Sequence, residues 1–184
     1  MKKNRKKGIR VFLALTVLLA LLLNSAFAAV IAEGETTLSD RIAAAGEGEV
    51  IALEKDYNEA ITIPAGTKIT LDLHGHTLTS GTANVVTNNG DLTVTDSVGG
   101  GRIERTAATG DTAGILNNSG ATLKMDSGTI EVVTTTSGVA IGIHNKGHIA
   151  EISGGEILAY TPGSTYAYGI SNQGGTIDLI SDGY

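Results

Sequence analysis

The amino-acid sequence predicts an all-β solenoid with about 27 residues per coil and a short N-terminal capping helix. Residues of one type return at a nearly fixed interval in the second half of the chain, which is the signature of a repeat architecture. One series consists of isoleucines two positions after a glycine, at Ile103, Ile130 and Ile157. A second series consists of Gly-Ile pairs that begin at Gly114, Gly142 and Gly169. A third consists of glycine-flanked Asn motifs, at Asn88-Asn89-Gly90, Asn117-Asn118-Ser119-Gly120, His144-Asn145-Lys146-Gly147 and Ser171-Asn172-Gln173-Gly174.

Residues 1–28 have the order of a secretory signal peptide. The first ten positions carry six Lys and Arg residues and no acidic residue, an apolar stretch runs from Val11 to Leu23, and Ala26-Phe27-Ala28 fits a cleavage site. The apolar stretch has 13 residues, whereas a membrane-spanning helix needs roughly 20. We therefore expect a mature protein that is secreted or held at the cell surface and that has no membrane span.

Removal of this leader changes the charge balance. The whole chain has 13 Lys and Arg residues against 19 Asp and Glu residues, and the leader takes six of the cations, which leaves a mature net charge of −12. Nucleic acids and anionic lipids favour basic surfaces, so neither is expected as a partner. The chain has no Cys, and its stability must therefore come from packed apolar layers.

Residues 29–48 are predicted to form a polar lead followed by a capping helix. Leu38, Ile42 and Ala45 fall on one helical face, and Ser39 and Asp40 are suitable N-cap residues. The open end of a solenoid exposes the apolar interior of its first coil. We expect the helix to cover that end.

Residues 49–184 are predicted to form the solenoid itself. The segment from Ile69 to Leu73 alternates apolar and polar residues, as a strand with one buried face requires. Alignment on the 27-residue interval places further apolar residues in two inward columns, with charged residues between them. The inward columns are Leu123, Ala150 and Ile177, and Met125, Ile152 and Leu179; the outward column is Lys124, Glu151 and Asp178.

Two ladders of identical side chains follow from the repeats, because equivalent positions of successive coils lie about 4.8 Å apart. Ile103, Ile130 and Ile157 are expected to stack in the interior. The second ladder is a stack of amide side chains at the turns, for which we expect a structural role; ligand binding by these amides is the alternative. Its predicted members are Asn89, Asn118, Asn145 and Asn172.

The segment Ile61–Gly66, followed by Ile69–Leu78, resembles the opening of exported bacterial right-handed parallel β-helix proteins of the pectate-lyase-like group. The resemblance extends over roughly residues 47–184. It implies a right-handed parallel β-helix and a surface or secreted protein. Some members of the group are polysaccharide lyases or hydrolases, and others have no defined reaction. His74 stands where the group usually has Asn, so no role is carried over to that side chain.

Few residues indicate catalysis. A lyase of this fold would use clustered acidic calcium ligands and a basic residue, but Asp91, Asp96 and Asp111 are spread through one coil. His74 and His76 would need a third ligand to bind zinc. No catalytic residue and no metal ligand is therefore nominated. No cofactor is expected, and calcium is left as an open alternative.

Three tyrosines are the best candidates for ligand binding. Tyr160, Tyr166 and Tyr168 flank a loop that is rich in Thr, Ser and Gly, and they are three of the five aromatic residues that follow the leader. Aromatic rings beside hydroxyl groups suit sugar binding. Packing of these rings against the loop is the alternative.

The expected function is that of a non-catalytic extracellular β-helix module that displays side loops for adhesion or for binding a glycan or another cell-surface polymer. The alternatives are a polysaccharide lyase or glycoside hydrolase with part of its site in coils beyond residue 184, and a structural spacer. The sequence ends within a coil that has no polar cap, so further coils or domains are expected on the C-terminal side.

Overall fold

The computed structural model describes residues 36–81, 84–109, 112–162 and 166–181. The predicted leader, residues 1–28, lies outside this part of the chain. Within it the protein has one α-helix and sixteen β-strands. These are α1 (Leu38–Ala44), β1 (Glu49–Ala52), β2 (Tyr57–Asn58), β3 (Ile61–Ile63), β4 (Lys68–Asp72), β5 (Thr77–Thr79), β6 (Val86–Asn88), β7 (Asp91–Thr95), β8 (Arg102–Thr109), β9 (Thr112–Asn117), β10 (Thr122–Met125), β11 (Thr129–Ser137), β12 (Ala140–Asn145), β13 (His148–Ile152), β14 (Glu156–Tyr160), β15 (Ala167–Asn172) and β16 (Thr176–Ile177).

The strands form three parallel sheets, and each coil of the chain contributes one strand to each sheet. Sheet 1 has the order β1-β4-β7-β10-β13-β16, sheet 2 has β14-β11-β8-β5-β2, and sheet 3 has β15-β12-β9-β6-β3. Every strand therefore pairs with the strand three positions away along the chain. The predicted parallel β-solenoid with about 27 residues per coil is confirmed.

The interior is built from stacked aliphatic side chains. Ile130 pairs with Ile103 on one side and with Ile157 on the other. Ile103 and Ile130 are fully buried, and Ile157 packs against the same core. Burial of an aliphatic side chain of this size contributes about 1.5–3 kcal/mol. The repeated isoleucine column therefore supplies a large part of the stability of these coils.

Each of the two predicted inward columns is wrong at one residue. Leu123 lies beside Ile149, not Ala150, and the register then shifts so that Lys124 lies beside Glu151. This irregularity between β10 and β13 accommodates one extra residue. It places the fully buried Ile149 in the interior. Past the shift, the column through Ile152 continues to Ile180 in place of the predicted Leu179.

The amide ladder also differs from the prediction in its first two members. It runs through Asn88, Asn117, Asn145 and Asn172, and each consecutive pair of amides is joined by a 2.8 Å hydrogen bond from Nδ2 to Oδ1. Asn89 and Asn118 instead form a separate pair at the turn, with 2.8 Å between Asn118 Nδ2 and Asn89 Oδ1. The coils that contain the first two motifs are longer than 27 residues. A fixed interval therefore selects the wrong Asn of each Asn-Asn pair.

The glycines of the Asn motifs are required by close backbone packing. A Cβ atom at Gly90 would collide with the carbonyl oxygens of Pro64 and Thr67, and one at Gly147 would collide with those of Asn118 and Ala121. Each turn therefore lies directly on the preceding one. This contact keeps the buried amides within hydrogen-bonding distance.

Helix α1 covers the interior at the N-terminal end of the solenoid. Leu38 and Ile42 are buried in the same hydrophobic core as the first strands. The N-cap is Thr37, and not Ser39 or Asp40 as predicted. The Thr37 hydroxyl accepts a hydrogen bond from the Asp40 backbone N–H, and the Asp40 carboxylate accepts one from the Thr37 N–H, which forms a capping box. No helix in the described part of the chain is long and apolar enough to cross a membrane.

Candidate functional site

A groove of about 360 Å³ lies on the outer surface of sheet 3. Strands β9, β12 and β15 supply its floor, and the residues next to these strands and to β6 supply its rim. Its lining, as far as the structure describes it, consists of apolar, aromatic and polar side chains. They are Asn84, Ala113, Val139, Ile141, His144, Tyr166, Tyr168, Ser171 and Gln173.

Parallel pairing explains how residues distant in sequence meet in this groove. Ile141 of β12 lies between Ala113 of β9 and Tyr168 of β15. The next outward position of the same strands places His144 beside Ser171. Ile141 and His144 are three residues apart on β12, so the groove has an apolar row, with Ile141, followed by a polar row, with His144 and Ser171. Rigid strands hold both rows, which fixes their spacing.

Tyr166 and Tyr168 form the aromatic wall. Their ring centroids lie 6.3 Å apart and their planes differ by 4°. The two residues remain 56% and 42% exposed. Stacking of two rings contributes about 0.5–1.5 kcal/mol beyond the burial of area. The two rings are therefore stacked while part of their surface still faces the solvent.

Tyr160, the third tyrosine predicted as a ligand contact, is not part of this groove. It is 63% exposed at the end of β14, which belongs to sheet 2. Thr161 follows it, and its buried hydroxyl has no hydrogen-bond partner within the described ranges. The residues 163–165 of the loop between Tyr160 and Tyr166 lie outside the described part of the chain.

The polar groups of the groove differ in how far their hydrogen bonds are satisfied. The Asn84 side-chain oxygen accepts a 3.0 Å hydrogen bond from the Ala113 N–H, so this amide has a structural role at the rim. In contrast, the His144 Nε2 atom is buried and has no hydrogen-bond partner among the residues that the structure describes. A buried polar atom without a partner costs about 1–3 kcal/mol.

Sequence analysis found the two tyrosines but missed the rest of the groove. His144 and Ser171 stand at the same position of their Asn motifs, immediately before the ladder residues Asn145 and Asn172. Because the amide ladder points inward, the residue before it must point outward. That alternation is a signal from which both residues could have been nominated.

The two arginines in the coil of Asp91 and Asp96 have structural contacts. Arg102 forms an ion pair with Glu131, with 2.5 Å between the Arg102 Nη1 and Glu131 Oε2 atoms. Arg105 is buried and donates a hydrogen bond to the Ser80 carbonyl. Burial lowers the pKa of its guanidinium. On the outer face of sheet 1, Lys124 and Glu151 pair at 2.8 Å, which raises the pKa of Lys124.

The acidic residues weighed above as calcium ligands are Asp91, Asp96 and Asp111. Asp96 accepts hydrogen bonds from the backbone N–H groups of Gly75 and Gly101, at 2.8 and 2.7 Å. Burial alone raises the pKa of Asp96, but these hydrogen bonds outweigh it and leave the pKa below its usual value. Asp91 is exposed on sheet 1, and the position of Asp111 is outside the described ranges.

His74 and His76 lie at the turn between β4 and β5. The His74 Nδ1 atom lies 3.1 Å from the Ser97 hydroxyl, and His76 Nδ1 lies 3.5 Å from an Asp56 carboxylate oxygen. Their ring centroids are 6.5 Å apart. Among residues 36–81, 84–109, 112–162 and 166–181, no three His, Cys, Asp or Glu side chains are grouped so as to hold a metal ion.

Comparison with known proteins gave no match to a protein-family model, to a curated protein or to a solved structure.

Proposed function

We propose that this chain is a non-catalytic, extracellular β-solenoid module that binds a glycan in the groove on sheet 3. The observation that carries the proposal is the stacked, exposed pair of Tyr166 and Tyr168 beside an apolar floor. Sugar rings present apolar C–H faces that pack on aromatic rings, and their hydroxyl groups hydrogen-bond to nearby polar side chains. The groove offers both kinds of contact.

The scaffold suits display of such a site. Loops and side chains held by a rigid framework are where binding function is commonly found. Ile141, beside Tyr168 on the neighbouring strand, is nearly fully buried, so the floor is supported by the packed sheet. A preformed site loses little conformational entropy when a ligand binds. The predicted leader supports export, which would bring the groove into contact with cell-surface polymers.

The test is a glycan array followed by titration calorimetry on the chain expressed with its own leader. The variants Tyr166→Ala and Tyr168→Ala each remove one ring of the aromatic wall. We expect each to weaken the binding of any glycan hit at least tenfold, which corresponds to about 1.4 kcal/mol. The matched control is Tyr160→Ala, because Tyr160 is even more exposed but lies outside the groove.

The outcomes separate the alternatives. An equal loss of glycan affinity in all three variants would show that exposed tyrosines bind the glycan whether or not they line this groove. Binding unaffected by either groove variant would contradict the proposed site. An array without hits would favour a structural spacer, and shortening of a polysaccharide during incubation would favour an enzyme.

A further inference from the structure

The chain contains a single Asn-Gly pair, Asn89-Gly90, and it forms the turn between β6 and β7. Asn is a chemically labile residue. It loses its side-chain amide most easily before Gly, because Gly has no side chain to hinder attack by its own backbone nitrogen. The Asn89 side chain is half-buried, so solvent reaches it. Whether the amide is lost therefore depends on how the turn holds these two residues.

The loss of the amide proceeds in two steps. The Gly90 backbone nitrogen gives up its proton and attacks the Asn89 Cγ atom; a C–N bond forms, the Cγ–Nδ2 bond breaks, and ammonia leaves with a proton. The product is a five-membered succinimide ring. One water molecule then opens the ring and leaves aspartate or isoaspartate at residue 89. The first step requires a Gly90 nitrogen that is not held by a hydrogen bond and an Asn89 side chain that can turn toward it.

In the folded protein the Gly90 nitrogen is held by the amide ladder. Its N–H donates a buried 3.1 Å hydrogen bond to the Asn88 side-chain oxygen. Asn88 is fully buried, and its Nδ2 atom donates to Asn117 Oδ1 at 2.8 Å and to the Thr122 carbonyl at 2.9 Å. These two bonds fix the Asn88 side chain, which keeps its oxygen on the Gly90 N–H.

The Asn89 side chain is restrained as well. Its Oδ1 atom accepts a 2.8 Å hydrogen bond from Asn118 Nδ2. The turn has no room to move toward the preceding coil, because even a Cβ atom added at Gly90 would collide with the carbonyl oxygens of Pro64 and Thr67. The longer backbone of an isoaspartate would meet the same obstruction.

We propose that Asn89 is a deamidation site of this protein and that the Asn88 side chain controls it. The hydrogen bond from the Gly90 N–H to Asn88 blocks the reaction in the folded protein, and opening of the turn permits it. The rate then follows the population of the open form. A chain that has formed isoaspartate at residue 89 cannot restore the close stacking of this turn on the coil before it. Asn88 is thus a positioning residue that protects the solenoid from irreversible ageing.

The first measurement needs no substitution. The protein expressed with its own leader is incubated at mildly alkaline pH, and peptide mapping by mass spectrometry follows the conversion of residue 89. We expect conversion to be at least about tenfold slower than in a synthetic peptide of residues 85–94, in which nothing holds the Gly90 N–H. In hydrogen exchange, the Gly90 N–H should be protected as well as the Asn89 N–H, which bonds to the Ile63 carbonyl at 2.9 Å.

Two variants separate the role of Asn88 from the stability of the coils. Asn88→Ala removes the acceptor of the Gly90 N–H. Asn117→Ala is the matched control, because it removes the next residue of the ladder but leaves Asn88 bonded to Gly90 and to the Thr122 carbonyl. Urea denaturation gives the unfolded fraction of each variant. After correction for that fraction, we expect residue 89 to convert at least about fivefold faster in Asn88→Ala than in Asn117→Ala.

Each result supports or overturns a stated part of the proposal. Conversion in the folded parent as fast as in the peptide would overturn the blocked state. Rapid exchange of the Gly90 N–H in the parent would overturn the role of Asn88, even if Asn88→Ala does not fold. Equal corrected rates in Asn88→Ala and Asn117→Ala would show that the stability of the coils alone controls the reaction. No conversion of residue 89 in the peptide would overturn the site itself.

Discussion

Asn117 shows how one side chain joins three coils of the solenoid. Its side-chain oxygen accepts a 2.8 Å hydrogen bond from Asn88, and its nitrogen donates to the Asn145 oxygen at 2.8 Å and to the His148 carbonyl at 3.2 Å. The side chain is fully buried. A buried amide is tolerated only when its hydrogen-bonding groups have partners. In this ladder each Asn also serves as the partner of the Asn in the next coil.

We expect Asn117→Ala to lower the free energy of unfolding by about 3 kcal/mol, because each buried group left unpaired costs about 1–3 kcal/mol. Urea denaturation followed by circular dichroism measures this loss. The control is Asn118→Ala, which removes one partly buried hydrogen bond to Asn89 and should cost about 1 kcal/mol or less. A larger loss of stability in Asn118→Ala than in Asn117→Ala would contradict the assignment of Asn117 to the ladder.

Helix α1 stabilises the solenoid by covering the apolar interior of the first coil. It has only seven residues, and an isolated helix of that length is not stable in water. The Thr37–Asp40 capping box sets its start, and Leu38 and Ile42 attach it to the core. The helix therefore depends on the apolar end of the solenoid, and that end depends on the helix to exclude water.

We expect Leu38→Ala to lower the free energy of unfolding by about 2–5 kcal/mol, since it removes a fully buried leucine and leaves a cavity above the first coil. Ser39→Ala changes the adjacent exposed residue and should stay within about 0.5 kcal/mol of the parent. Both values come from the same denaturation experiment. Equal stability of the two variants would contradict a covering role for the helix.

At the scale of the whole molecule, Asp72 and Asp96 form hydrogen bonds that link successive coils at one turn of the solenoid. Asp72 accepts hydrogen bonds from the His74 N–H at 2.9 Å, the Ser97 N–H at 2.9 Å and the Ser97 hydroxyl at 2.6 Å. Burial alone raises the pKa of Asp72, but the hydrogen bonds from Ser97 and His74 favour the carboxylate and hold the pKa below its usual value. Asp96 is held in the same way by the turn glycines Gly75 and Gly101.

These lowered pKa values predict loss of stability in acid. A carboxylate whose pKa is lower in the folded state stabilises fully above its unfolded pKa, about 3.9 for Asp, and loses that contribution as the pH falls through the folded value. We expect the melting temperature to fall between about pH 5 and pH 2. Asp72→Asn should melt lower than the parent at neutral pH and show a smaller fall in acid.

The exposed Asp91 on the same sheet provides the control for that experiment. Asp91→Asn also removes one carboxylate, but from an exposed position. Its melting curve against pH should keep the parent's fall in acid. A fall of the same size in Asp72→Asn would contradict the role given to Asp72.

Particular residues show where prediction from the sequence held and where it did not. Ile103, Ile130 and Ile157 lie in one column because the coils between them all have the same length. Ile149 was missed because the irregularity next to Lys124 moves the inward position by one residue. Equal spacing cannot detect an extra residue such as Ala150 of β13, which has no partner in β10. The ladder residues Asn88 and Asn117 were missed for a related reason, since their coils are longer than the repeat.

The sequence by itself determined the parallel solenoid with its 27-residue coil, because apolar alternation and glycine-flanked turns are local properties that recur along the chain. Only the tertiary structure decided which side chains share a surface. Tyr168, Ile141 and Ala113 are neighbours across three strands, and His144 joins them in one groove while Tyr160 does not. Such neighbourhoods depend on the register between coils, and a shift of one residue moves a side chain from the interior to the surface.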